Sequence, residues 1–251
     1  MYAQYGPLCA QIYEHTKPVG HAIAGDIDYY HSRLSSVTGP ILEAGVGNGR
    51  MLIPFYQSGL NIDGIDLSAD MLAMCQHNCQ EANIQPMLYQ GDMGTYPYPH
   101  TYEAIIVPTG SFGLITDRQA AERILAHFQQ SLQPNGRLIL DLDLPVDWQN
   151  HQQTVSTFEL APDYGITLTH HAQEMNWVEQ TTHTLLKYEA WRQGTLVATE
   201  LQRFDMRWYG IEEFKQLLQR LGFRDIVVSA GYQFGQAPSA TERLITFEAT
   251  K

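Results

Sequence analysis

Ile41-Leu42-Glu43-Ala44-Gly45-Val46-Gly47-Asn48-Gly49 is an apolar run that ends on a carboxylate and then places glycine at every second position. An extended Pro40-Ile41-Leu42 strand needs a tight reversal before the next helix. Glycine supplies it, because glycine tolerates positive φ and lets a ligand approach bare backbone. The spacing selects among cofactors. A dinucleotide fingerprint, Gly-x-Gly-x-x-Gly, requires its last glycine where Arg50 stands, and a phosphate-binding Walker loop requires a Gly-Lys-Ser/Thr that does not follow. Glu43-x-Gly45-x-Gly47-x-Gly49 remains.

Outward from that turn, strand ends and acids recur. Asn61 to Asp66 reads as a second strand closing on an acid seventeen positions after Gly49, with Ser68 placed to N-cap the next helix. An acid at Asp66 can accept both hydroxyls of a ribose. A third strand near Met87 to Gln90 runs into Gly91-Asp92-Met93, so Glu43, Asp66 and Asp92 are expected along one edge of a sheet. Ala104 to Val107 reads as a fourth strand ending in Pro108-Thr109-Gly110-Ser111-Phe112, and Leu138 to Asp141 as a fifth. Between them Thr116-x-x-Gln119 has a capping-box pattern, and Ala120, Ile124, Leu125 and Phe128 form an apolar stripe. Ile211, Phe214, Leu217, Leu218 and Leu221 form another, stopped by Gly222, with strands over 224–229 and 243–248.

This series of motifs resembles the class I S-adenosylmethionine-dependent methyltransferases, in their small-molecule form. The resemblance is closest over residues 40–143 and extends over 208–249. It implies an α/β fold: a Rossmann-like, seven-stranded, doubly wound sheet, mostly parallel with an antiparallel last strand. The implied cofactor is S-adenosyl-L-methionine, with S-adenosyl-L-homocysteine as product. Cys9-Ala10-Gln11-Ile12-Tyr13-Glu14 is similar to the opening of these enzymes, where an N-terminal helix covers the cofactor, and Asp28-Tyr29 to a further landmark. By that likeness the cofactor-binding residues are Tyr13, Tyr29, Glu43, Ala44, Gly45, Gly47, Gly49, Asp66, Leu67, Met71, Asp92, Met93 and Pro108. Candidates on the acceptor side are Tyr13, Ser111, Phe112, His170 and Tyr209, with no general base assigned. No Asn/Asp-Pro-Pro-Tyr/Phe follows the fourth strand, where enzymes that methylate amino groups of nucleobases and glutamine carry it. A small free acceptor is therefore expected, with nitrogen ahead of oxygen or carbon.

Two segments lie outside the bare core. Residues 1–37 are expected to form lid helices. Residues 146–208 alternate apolar and polar positions, as in Thr154 to Leu160 and Thr195 to Leu201, with Gly194 at a turn. They are expected to form an antiparallel β meander inserted after the fifth strand, walling the acceptor side with residues drawn from Trp177, Trp191, Trp208, Tyr209, His170 and His171. Successive strand residues face opposite ways, so at most one of His170 and His171 can line a given cavity. The core is then 38–145 together with 209–251.

Composition narrows the partners. A formal net charge of −12 without a Lys/Arg run disfavours nucleic acid and anionic membranes. No secretory leader or membrane-spanning stretch is apparent, so a cytoplasmic monomer or homodimer is expected. Cys75 and Cys79 lie on one helical face, and neither they nor the ten histidines have a spacing that would ligate a metal. Two rival readings stand beside the first. A non-catalytic S-adenosylmethionine-binding domain would share every cofactor motif. An NAD(P)-dependent oxidoreductase would share the glycine turn and Asp66, but Arg50 and the four lysines argue against it.

Overall fold

All four residues of Ile41–Ala44 are buried, as expected for a central strand covered on both faces. The computed structural model describes residues 5–251, so the first four residues of the expected lid segment lie outside the described residues. In chain order the first elements are α1 (Pro7–Thr16), α2 (Asp26–Leu34), β1 (Ile41–Ala44), α3 (Leu52–Gln57), β2 (Ile62–Asp66), α4 (Ala69–Glu81), β3 (Leu88–Gln90) and β4 (Tyr102–Val107). A 3₁₀ turn (Ser111–Leu114) leads to α5 (Arg118–Ser131) and β5 (Leu132–Asp143). The inserted strands are β6 (Gln153–Ala161), β7 (Tyr164–Asn176), β8 (Thr181–Arg192), β9 (Thr195–Arg203) and β10 (Met206–Arg207). The chain closes with α6 (Ile211–Arg220), β11 (Arg224–Ala230) and β12 (Leu244–Thr250).

Seven strands form one sheet in the order β11-β12-β5-β4-β1-β2-β3. β1 pairs in parallel with β2 and β4, and β12 is antiparallel to both of its neighbours. The expected doubly wound sheet with an antiparallel last strand is thus present. The strand order reverses direction between β1 and β4, and ligands of such sheets bind at the strand carboxyl ends beside this point. One face packs on α5 and α6 through Ile124, Phe128, Phe214 and Leu218, the other on α2 to α4 through Leu34, Phe55 and Leu72. Each such side chain contributes about 1.5–3 kcal/mol by leaving water.

Local signals set the element ends. Ser68 caps α4, its hydroxyl accepting from the Met71 N–H at 3.2 Å. The cap of α5 is Asp117, not Thr116: its carboxylate accepts from the Ala120 N–H at 2.6 Å. One residue decides this, because Asp117 takes the extended conformation of an N-cap and reaches the third amide beyond it.

The insertion forms a separate antiparallel sheet with β8 as its spine, β7 and then β6 on one side, and β9 followed by β10 on the other. Gln193 and Gly194 both have positive φ, as a two-residue hairpin between right-twisted strands demands. On β8 every second residue from Thr182 to Ala190 is buried. The Leu186, Tyr188 and Ala190 end of that face packs on Leu8, Cys9 and Ile12 of α1. The meander therefore supports the N-terminal helix, a contact that the alternation pattern alone did not reveal.

Candidate functional site

The turn after β1 uses its three glycines differently. Gly45, Gly47 and Gly49 all have positive φ. A Cβ on Gly45 would lie 3.4 Å from Ser111 Cβ, and one on Gly47 would lie 3.3 Å from Met71 Cε, so these two keep the cleft floor bare. A Cβ on Gly49 would approach Cys75 Sγ to 2.8 Å, so this glycine brings α4 against the turn. At the end of β2, Asp66 Oδ2 accepts from the Gly47 N–H at 2.8 Å and Oδ1 from the Ser68 N–H at 2.9 Å. Burial raises the Asp66 pKa although these amides oppose it, so the carboxylate retains a need for further donors. After β3, Asp92 Oδ1 accepts from the Gly94 N–H at 2.8 Å.

These groups surround a cleft at the carboxyl ends of the strands. Of the residues expected at a cofactor, Tyr13, Gly45, Gly47, Asp66, Leu67, Met71, Asp92 and Met93 line it, as does Ser111 from the acceptor side. Tyr5, ahead of α1, also lines it, and its carbonyl accepts from the Ser68 hydroxyl at 2.8 Å.

The other expected residues lie elsewhere. Tyr29 is in the core on the far face, with ring centroids 5.7 Å from Tyr30 and 5.5 Å from Tyr232. Ala44 and Pro108 are buried at strand ends, and the Pro108 carbonyl accepts from the Ser111 hydroxyl at 3.0 Å. Glu43 is buried beneath the turn, and its Oε2 has no hydrogen-bond partner among the described residues. Burial pushes its carboxyl up to about 8, with Arg50 opposing. Phe112 is fully buried against Tyr209 and Phe214, and Tyr209 is 2% exposed, so neither reaches the cleft. The reason is local: a 3₁₀ turn advances about 120° per residue, so with Ser111 toward the cleft Phe112 points into the core.

Three groups around the cleft were missed in sequence. Arg50 donates to Asp26 Oδ2 at 2.6 Å, Thr109 Oγ1 at 2.9 Å and the His21 carbonyl at 2.7 Å, tying the start of α2 to the turn after β4. Glu14 Oε2 accepts from Asn48 Nδ2 at 2.8 Å and Asn78 Nδ2 at 3.0 Å, fastening α1 to the glycine turn and α4. Asp141 accepts from the Thr109 N–H and Thr246 hydroxyl at 2.7 Å each and from the Tyr232 hydroxyl at 3.0 Å. It fixes Thr109 in its positive-φ conformation, and burial raises its carboxyl to about 6. The motif around Tyr13 pointed at Glu14. Nothing local marked Asp26 or Asp141 as partners.

A second cavity, about 1160 Å³, opens between the end of β5 and the meander. Asp143, Trp148, His170, Arg207, Trp208 and Arg243 are in its wall. His170 is there and its neighbour His171 is not, as strand alternation requires. Trp177 is 69% exposed at a turn, and Trp191 lies at the far end of β8, so neither is part of this wall. The 3₁₀ turn divides the two cavities. Ser111 and Leu114 line the glycine cleft, while Gly110 abuts Asp143 and Gly113 abuts Met206 and the Arg207 carbonyl.

Comparison with known proteins agrees with this architecture. Residues 41–136 match a family model described as a methyltransferase domain. The chain is 22% identical over 213 residues to a putative methyltransferase of Geobacillus sp. (strain WCH70), covering 84% of each. Its fold matches an S-adenosylmethionine-dependent methyltransferase from Clostridium acetobutylicum ATCC 824, with a TM-score of 0.75 at 15% identity over 96% of both chains. An amino pentose methyltransferase from Micromonospora echinaspora, solved with S-adenosylmethionine bound, matches with a TM-score of 0.71 at 16% identity, over 95% of this chain and 96% of that one. A methyltransferase domain on the class I fold defines the class: the protein is an S-adenosylmethionine-dependent methyltransferase. Its cofactor is S-adenosyl-L-methionine, and no helix among the described residues is long and apolar enough to cross a membrane.

Proposed function

We propose that the protein methylates a nitrogen of a small-molecule amine, with the cofactor held in the glycine cleft. The observation that carries the reading is the pair of cavities on either side of one 3₁₀ turn, with Ser111 on the cofactor side and Asp143 beyond it. The likeness to an amino pentose methyltransferase favours nitrogen, and an amine needs no fixed base, since it can lose its proton to water before it reacts.

The cleft chemistry fits the cofactor. Gly45 and Gly47 offer bare backbone, Asp66 offers carboxylate lone pairs to ribose hydroxyls, and Asp92 with Met93 meets the base. The buried Glu43 Oε2, without a hydrogen-bond partner among the described residues, lies beneath the end where an ammonium group belongs. Ala44, Gly49 and Pro108 support this cleft from behind, and Tyr29 packs in the core away from it. The cofactor supplies a methyl already activated on a sulfonium, so what the protein adds is placement and exclusion of water. Ideal alignment has a ceiling of about 7–11 kcal/mol. Within this reading residues 1–37 are the lid, closed by the Glu14 bridge, 146–208 the acceptor-side wall, and 38–145 with 209–251 the core. Three free, buried cysteines suit a reducing, cytoplasmic setting.

Incubation with methyl-labelled cofactor and a metabolite extract tests the proposal. N-methylated products are expected. Label appearing only on oxygen or carbon would overturn the choice of nitrogen, and no labelled product despite intact cofactor binding would favour a non-catalytic binding domain.

A further inference from the structure

We infer that the acceptor enters the cavity between β5 and the meander as a cation, and that the Asp143 carboxylate is the group that meets its ammonium. This rests on the reading of the protein as an amine methyltransferase and names the charge state that the site selects.

Strand alternation sets which side chains face this cavity. The meander registers place His170 opposite Leu186, Ala172 opposite Thr184 and Met206 opposite Thr182, so these residues share the face that packs on α1 farther along β8. His170, Thr184 and Met206 all line the cavity. Arg207, the next residue, leaves through the opposite face, where its Nε donates to the Thr116 carbonyl at 2.7 Å, so its charge is not offered here. From the other side comes Asp143, the last residue of β5, two positions beyond Asp141 on the same face of that strand. A Cβ on Gly110 would collide with its carboxylate, which therefore lies against the turn bearing Ser111 and beside the cofactor cleft.

That carboxylate is unmet. Half-buried, it accepts no hydrogen bond and forms no ion pair among the described residues, and burial raises its pKa. Arg243 and Lys17 act on it only from a distance: Arg243 is exposed, and Lys17 Nζ sits over the Tyr13 ring, 4.7 Å from its centroid. His170 supplies no cation either, since burial lowers its pKa and leaves the imidazole neutral at ordinary pH. Asp147, exposed at the rim, adds to the negative sign of the wall. A carboxylate withdrawn from water without a counter-ion is unfavourable, and an ammonium relieves that cost while donating up to three hydrogen bonds. A neutral hydroxyl in its place does not. One proton then leaves the ammonium to water, freeing the lone pair that attacks the methyl. Phe204, Met206 and Trp208 provide apolar surface for the rest of the molecule.

The methyl-label experiment with the metabolite extract, extended to variants, tests this. The labelled products are expected to derive from amines that are protonated in water. For the acceptor that gives the strongest product, Asp143→Asn should raise KM at least tenfold and Asp143→Glu should recover part of the loss, both binding S-adenosylhomocysteine within twofold of the unaltered protein in calorimetry. The analogue of that acceptor with a hydroxyl replacing the amine should bind the unaltered protein at least tenfold more weakly than the acceptor does, and Asp143→Asn should lose this preference. Should Asp143→Asn fail to fold, the hydroxyl analogue against the unaltered protein decides alone. An unchanged KM in Asp143→Asn, equal affinity for amine and hydroxyl, or acceptors that are uncharged in water would overturn the inference. N-methylated products alongside any of those results would leave the methyltransferase reading standing, whereas their complete absence would remove both.

Discussion

The glycine cleft and the cavity beyond β5 share a wall, yet they are assembled from different distances along the chain. Most of the cleft comes from residues 45 to 93, as successive strand ends that each carry their own acid or glycine. The second cavity takes Asp143 from β5, His170 from β7, Met206 from β10 and Arg243 from the approach to β12. In the first region backbone geometry does the work, and glycine is required at position 49, where a Cβ would otherwise collide with Cys75. In the second, side-chain charge and aromatic surface do it, on strands that many other residues could form. A substitution in the cleft should therefore damage fold or cofactor binding, and one in the second cavity should change the acceptor.

The sharpest way to break this contrast is at a glycine. Gly49→Ala should destabilise the protein by about 2–4 kcal/mol in denaturant unfolding, combining roughly 1–2 kcal/mol for a left-handed residue with the overpacking of Cys75 and Ile53. Gly194→Ala, at positive φ but with open space around it, should cost about 1 kcal/mol. Equal losses would mean that close approach to α4 is not what the turn requires.

Asp66→Asn should weaken S-adenosylhomocysteine binding by about 1.5–3 kcal/mol, the range for hydrogen bonds to a charged group, in calorimetry. Unchanged affinity would remove the ribose role of β2. Glu14→Gln should cost about 1 kcal/mol of cofactor affinity by loosening α1, while leaving relative acceptor KM values alone. Trp148→Ala should do the reverse, raising acceptor KM several-fold with cofactor affinity within twofold. Equal effects on both would erase the distinction between the two regions.

A separate test of the cleft concerns pH. The Glu43 carboxyl is held at about 8 against an ordinary value of 4.5, chiefly by burial. Below about pH 4 it is protonated in both folded and unfolded chains. Between about 4.5 and 8 the unfolded chain ionises first and binds fewer protons, so stability falls as pH rises through that window. Glu43→Gln removes the titration, and its melting temperature should vary less between pH 5 and 8 than that of the parent. An identical slope would place the pH dependence on Asp141, whose carboxyl is raised to about 6.

How much could be read in advance follows from the same contrast. The sheet, the caps at Ser68 and Gly222, the meander and eight of the thirteen expected cofactor positions follow from patterns within a few residues of one another. Tyr29 did not, because a tyrosine on a short amphipathic helix suits a cleft as well as it suits a core, and only the packing of Tyr30 and Tyr232 around it decides. Phe112 sits on the core side of a turn whose 3₁₀ pitch the sequence does not announce, and Tyr209 is buried against Phe112 and Phe214. Arg50 excluded a dinucleotide fingerprint when read locally, and in the fold its guanidinium also carries the buried bond to Asp26.

By itself the sequence determined where the chain must turn on bare backbone and which acids end the strands, since positive φ and strand alternation are properties of a residue and its neighbours. Only the tertiary structure decided that α1 is fastened through Glu14 and backed by the meander, and that Asp143 and His170 share a cavity. Those pairings join residues far apart in the chain, and burial, which makes an unpaired charge matter, exists only once the whole chain has folded.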